Sequence, residues 1–398
     1  MSILSPLKRL PFRLLWVGMS LSYAGDRLQE LAQGWLVATL TSSALAVGGI
    51  GVLSSVGMLL IPLGGVIADQ VDRRRILIVG QWAGALLTGG MALLAFTERL
   101  AVWQIYLWAL ITGLVWMVVR PAYKVIITQA VPPPEVRPAV SLNSITETSA
   151  IVATNVGGSA LLGWLGLPLA FMLNAVSYLA AIFCLGRVRS VDPVPAGGEK
   201  GLQPGQVWLD LRAGFVYLVR QKALLNPLLL TFTGIVLTGS ASSLLPAIVN
   251  AQGGGLVQLG LLGGCASLGA LVGAIYAGTK AEGNPLRTYP IWGLLAALAL
   301  GLFVAWPLSL PGAVGLAGLG FLAFSQVVWN TSRVSAQAEP AYQARLQSIT
   351  SMSFTLGTPL AAIWGGLAVD RFGLPSLLAG AGIVALLSIG ILVSQWKK

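Results

Sequence analysis

Gly64-Gly65-Val66-Ile67-Ala68-Asp69-Gln70-Val71-Asp72-Arg73-Arg74-Arg75 separates two long apolar stretches. The first apolar run ends at Asp69, and the next begins directly after three arginines. Arginine enters hydrocarbon at a cost of several kcal/mol, so the three pin a tight helix-to-helix turn to the cytoplasmic side of a bilayer. Everything around this stretch agrees with a membrane reading. The chain has 398 residues, 56% of them hydrophobic and 9% charged, where a soluble chain carries about 25% charged residues. Its 24 Lys+Arg outnumber 13 Asp+Glu, but the basic residues sit in short gaps between apolar runs of about 20 residues, the length that spans a bilayer. That distribution argues against a nucleic-acid partner and for a lipid one.

Twelve spans fit the pattern: 12–40, 44–68, 76–96, 103–130, 139–162, 169–186, 226–248, 256–278, 289–308, 311–335, 346–368 and 374–395. Nearly all lysines and arginines in the gaps fall on one side, with Arg99 and Arg371 opposite. Both termini are therefore expected in the cytoplasm, in a multi-pass protein of a bacterial-type inner membrane. The first run passes through Asp26 and Arg27 without a small-residue cleavage site, so it reads as a span rather than a leader. Cys184 and Cys265 both lie in apolar runs and suggest no disulfide framework. The absence of histidine excludes Ser-His-Asp chemistry and His-based metal sites. No Gly-x-x-x-x-Gly-Lys-(Ser/Thr) occurs. No enzyme activity, cofactor or metal is expected.

The stretch 187–206 is rich in Pro and Gly and reads as a linker. Trp208, Leu211, Phe215, Leu218 and Val219 follow at helical spacing, either as an interfacial helix or as a cytosolic extension of the seventh span. The division is thus 1–186, a linker over 187–225, and 226–398. The halves echo each other: Gln129, Ser144, Gly157 and Gly166 recur as Gln337, Ser348, Gly365 and Gly373, at offsets of 208, 204, 208 and 207. A six-plus-six duplication follows, with a site near the midplane.

Gly65, Asp69, Arg73 and Arg74 match the loop pattern Gly-x-x-x-Asp-Arg-x-Gly-Arg-(Lys/Arg), with Gln70 and Asp72 as departures. The chain therefore resembles the major facilitator superfamily. Phe12–Trp16, Gly25-Asp26, Gly34–Val37, Pro121-Ala122, Ala139–Asn143 and Phe171–Ser177 resemble its enterobactin-exporter and macrolide-efflux branch. The resemblance implies a monomeric, proton-coupled exporter of amphipathic small molecules, drug or siderophore, working by alternating access. An importer or uniporter, or a sensor on the same fold, is the alternative. In the fifth span, exporters carry Gly-Pro-x-x-Gly-Gly where this chain has Ala153–Gly158 without the proline. Gly366–Gly373 looks like the loop motif again, but topology puts it on the outer face, where it reads as a helix-ending turn.

Gly65, Asp69, Asp72, Arg73 and Arg74 are the expected gating loop. Asp69 would accept hydrogen bonds from a helix N-terminus, and the resemblance places that helix near Arg345; alternatively, the arginines only set topology. In the first span, Ser22, Asp26, Gln29, Glu30 and Gln33 form a polar stripe that must line a cavity or a helix interface. Asp26 and Glu30 are one turn apart and repel when both are ionised. They are proton-coupling candidates, with cationic-substrate recognition and structural pairing as the other roles. Asp26 is preferred because Arg27 is placed to pair with Glu30. Glu147 is a second coupling candidate or a carboxylate paired with a basic residue such as Arg120. Ser22, Gln29, Gln33, Trp116, Arg120, Gln326, Trp329 and Asn330 are expected in the substrate cavity, the tryptophans also fitting ordinary packing.

Overall fold

A computed structural model describes residues 3–188, 213, 215–280 and 285–396; some side chains within these ranges, Asp69, Gln70 and Arg345 among them, lie outside the description. Every regular element among the described residues is helical. By contacts the chain divides into two units, Met1–Leu36 with Leu53–Pro204, and Val37–Val52 with Gly205–Lys398. Most of the expected linker and interfacial helix falls outside the described residues. Within it, residues 213 and 215–220 are helical, Gln221 is not, and the next helix begins at Lys222.

The helices of the first half are α1 (Leu10–Thr41), α2 (Ala44–Leu59), α3 (Ile61–Gln70), α4 (Arg73–Phe96), α5 (Val102–Gln129), α6 (Val136–Ala153), α7 (Ser159–Leu165) and α8 (Leu167–Arg187). Those of the second half are α9 (Lys222–Thr238), α10 (Ser240–Ser243), α11 (Leu245–Ala251), α12 (Leu256–Thr279), α13 (Pro285–Ala305), α14 (Leu310–Gln337), α15 (Pro340–Phe372) and α16 (Leu377–Trp396). Joined across their breaks, the described helices make twelve spans. Seven of them are single helices long and apolar enough to cross a bilayer. Three of the other five are broken for local reasons. α2 and α3 divide at Leu60, ahead of Pro62, whose nitrogen cannot donate. The seventh span divides at Gly239 and again at Leu244, ahead of Pro246. α6 and α7 are joined by a π turn over Thr154–Gly158. The turn lies in the Ala153–Gly158 stretch that lacks a proline.

Small residues allow close helix approaches in each unit. In the first, Gly84 of α4 faces the Tyr178 ring of α8; a Cβ at Gly84 would lie 2.6 Å from it. In the second, α12 crosses α14 at Gly269 and Gly273. A Cβ at Gly273 would lie 2.2 Å from the Phe321 carbonyl oxygen, backbone that cannot swing aside. Gly278, one turn along the same helix, has open space around it. Gly273→Ala should therefore cost about 1–3 kcal/mol. Gly278→Ala should be neutral or stabilising by up to about 1 kcal/mol through helix propensity. Thermal unfolding of the two purified variants against the parent checks the contrast, and equal melting temperatures would contradict it.

Candidate functional site

The polar stripe of α1 divides between two faces. Ser22, Asp26, Gln29 and Gln33 point into the interface with α4 and α8 and are buried. Ser22 Oγ donates to Gln81 Oε1 at 2.9 Å. Gln29 and Gln33 turn their amides toward the Met91 sulfur at 3.9 and 3.8 Å. Asp26 Oδ1 accepts from the Tyr178 hydroxyl in a short bond, and from Asn174 Nδ2 at 3.2 Å. Asn174 Nδ2 also donates to Gln29 Oε1 at 2.6 Å. Gly25 makes this possible, because a Cβ there would stand 2.2 Å from Asn174 Oδ1 and force α8 away. The second carboxyl oxygen, Asp26 Oδ2, is buried without a hydrogen-bond partner among the described residues. Ser22, Gln29 and Gln33 thus sit in a packed helix interface.

Glu30 belongs to the neighbouring stripe, Tyr23–Arg27–Glu30. Arg27 Nη2 and Glu30 Oε1 are 2.5 Å apart, with side chains 24% and 48% exposed. The Arg27 guanidinium lies over the Tyr23 ring, 5.0 Å from its centroid. Arg120 lies over Trp116 at 5.6 Å. Glu147 stands within electrostatic reach of Tyr23 and Arg27, and Arg120 within reach of Tyr23 and Glu30. α1, α5 and α6 therefore bring one group of mixed charges together. Arg120 and Glu147 do not form an ion pair with each other. Glu147 instead accepts from Asn143 Nδ2 at 2.8 Å, and Asn143 Oδ1 accepts from the Tyr123 hydroxyl at 2.8 Å.

In the second unit, Asn330 is a buried bolt through three helices. Its Oδ1 accepts from Tyr289 of α13 at 2.8 Å, and its Nδ2 donates to Thr231 of α9 at 2.7 Å. Trp329 donates to the Lys280 carbonyl at 3.3 Å and packs edge-on against Trp292. Gln326 borders a narrow cavity of about 30 Å³ with Thr233, Tyr289 and Ser388, space on the scale of a single water. Arg333, also buried, stands 5.9 Å from the Tyr289 ring centroid.

In the loop, Asp72 caps α4, accepting from the backbone nitrogens of Arg74 and Arg75 at 2.8 and 3.2 Å. The Arg74 guanidinium donates to the Leu185 and Gly186 carbonyls at 3.0 and 2.8 Å, closing the C-terminus of α8. Gly65 is half-buried with free space beside it, and Arg73 is half-buried. The Asp69 side chain lies outside the described residues.

The residues that sequence reading missed are the partners: Gln81 on α4, and Asn174 and Tyr178 on α8. A signal exists for both. Gln81, Gly84 and Thr88 recur on one face of an apolar helix, and Asn174, Ser177 and Tyr178 do the same on another.

A family model described as transmembrane secretion effector matches residues 1–395. An enterobactin exporter of Escherichia coli O127:H6 is 25% identical over 395 residues, which cover 98% of this chain and 92% of that protein. Its Shigella flexneri counterpart is 26% identical over the same shares. A bacterial homologue of the iron transporter ferroportin, solved in an inward-facing state, superposes with a TM-score of 0.69 at 16% identity, covering 96% of this chain and 98% of that one. The nucleoside transporter NupG gives 0.67 at 14%, covering 95% and 98%.

Proposed function

The chain belongs to the transmembrane secretion effector family of the major facilitator superfamily, and from that premise we propose that it exports amphipathic small molecules in exchange for protons. It is a multi-pass membrane transporter. We infer that it works as a monomer in a bacterial cytoplasmic membrane, with both termini inside, by alternating access of a central site.

The observation that carries proton coupling is Asp26. A carboxyl buried in a span is costly and calls for a functional reason. Its Oδ1 is held by Tyr178 and Asn174, so the group is fixed in position, while Oδ2 is unpartnered and is where a proton adds. Protonation removes a charge from the α1–α4–α8 interface and changes how those helices pack. The half-exposed group of Arg27, Glu30, Arg120 and Glu147 supplies contacts for a charged part of the substrate, and Trp116 a flat apolar one. Asp72 and Arg74 hold the loop that joins α3 to α4, and Asp69 at the end of α3 is the proposed cytoplasmic gate residue.

Proteoliposomes with an imposed pH gradient test the reading, using a panel that includes a catecholate siderophore and lipophilic cations. Accumulation should follow the gradient and collapse when a protonophore is added. Movement that ignores the gradient would overturn proton coupling. If no compound moves, the sensor reading gains.

A further inference from the structure

The turn expected at Asp370 does more than end a helix. Asp370 lies in the last turn of α15, where a carboxylate opposes its own helix dipole. Its position is explained by a second helix. Asp370 Oδ1 accepts from the backbone nitrogen of Ala44 at 2.7 Å, and Oδ2 accepts from Leu45 N at 3.2 Å and from the Ser43 hydroxyl at 2.5 Å. Ser43 Oγ in turn accepts from Ala46 N at 3.1 Å. The backbone nitrogens of Ala44 and Leu45 thus bond the carboxylate, and that of Ala46 bonds the serine it orients.

The surroundings are shaped for this contact. A Cβ at Gly48 would meet the Ala362 carbonyl at 2.9 Å, and one at Gly366 would meet the Leu45 Cα at 2.6 Å, so α2 and α15 touch backbone to backbone. Asn250 Nδ2 donates to the Ala38 carbonyl at 2.9 Å and holds the end of α1. Ser42, between the helices, has φ of 52°, an uncommon left-handed conformation for serine that turns the chain sharply into α2. All these groups fall within the second unit, which takes in Val37–Val52 although that segment belongs in sequence to the first six spans. Asp370 is itself exposed, so water competes for its bonds and the contact is breakable.

We propose that Asp370 and Ser43 form a latch at the non-cytoplasmic end of the protein, one that must open each time the central site faces outward. The proposal rests on the alternating-access reading above. Asp370 acts as a positioning residue, holding the α1–α2 corner against α15.

The first test needs no substrate. With Cys184 and Cys265 replaced by serine, Val47→Cys places a buried thiol one turn inside the latch, where a membrane-impermeant maleimide applied from the outer side reports opening. Asp370→Ala should speed labelling about tenfold, the effect of losing charge-assisted hydrogen bonds. Ser43→Ala should give a smaller rise, with an unchanged melting temperature marking an intact fold. Equal labelling rates in Asp370→Ala and its parent would overturn the latch, whatever the transport assay shows. In the second test, Ser43→Cys with Asp370→Cys is oxidised with copper–phenanthroline. Transport should stop and return on reduction, and full transport by the crosslinked protein would show that the latch need not open.

Discussion

Asp26→Asn leaves the protein folded and removes the pH gradient's hold on transport. The asparagine side-chain oxygen still accepts from Tyr178 and Asn174, so the two bonds that join α1 to α8 are retained. What is lost is the ability to gain and release a proton. Gradient-driven accumulation should fall to the level of protein-free vesicles, a drop of at least about 100-fold if one carboxyl carries the coupling. Exchange of labelled for unlabelled substrate across the membrane, without a gradient, should continue. Tyr178→Phe makes the complementary case, because it keeps the carboxyl and deletes one of its two donors; it should shift the pH dependence of transport without abolishing it. If Asp26→Asn accumulates substrate as the parent does, coupling lies elsewhere, and Glu30 and Glu147 are the next acids to replace.

The apolar spans were readable because a bilayer imposes one length on every helix. The breaks at Leu60 and Leu244 were equally local, each lying two residues ahead of a proline. The π turn over Thr154–Gly158 was not, since an extra residue in a helical turn leaves no composition mark. Arg27 with Glu30 was legible as an i,i+3 pair. The partners of Asp26 lie 148 and 152 residues away, and no local periodicity joins positions so distant. The same limit applies to Asp370, 327 residues from Ser43: a look-alike motif suggested only a turn, whereas its function is defined by a helix it meets in space. Splitting the α1 stripe also needed the fold. Asp26 and Glu30 are one helical turn apart, but only a neighbour's position decides that the first is buried and the second half-exposed.

Asn330→Leu should destabilise the second unit. Leucine keeps the branching of asparagine, but its methyl groups are bulkier, so the change removes two polar contacts and adds crowding. The Tyr289 hydroxyl loses its bond to Asn330, and Thr231 loses the amide that donates to it while keeping its own bond to the Pro227 carbonyl. Each buried hydrogen bond lost costs about 0.5–1.5 kcal/mol, so the two together come to about 1–3 kcal/mol and lower the melting temperature by several degrees. Tyr289→Phe removes the hydroxyl whose bond to Asn330 is lost, so the double variant should recover part of the loss, and the cycle measures the coupling between the two positions. The same pair separates two roles for Asn330. A bolt between α9, α13 and α14 shifts stability and leaves the KM of the surviving folded protein unchanged. A cavity residue shifts KM in Asn330→Leu, and Tyr289→Phe cannot restore it. The buried position of Asn330, with both ends of its amide already bonded, favours the first result.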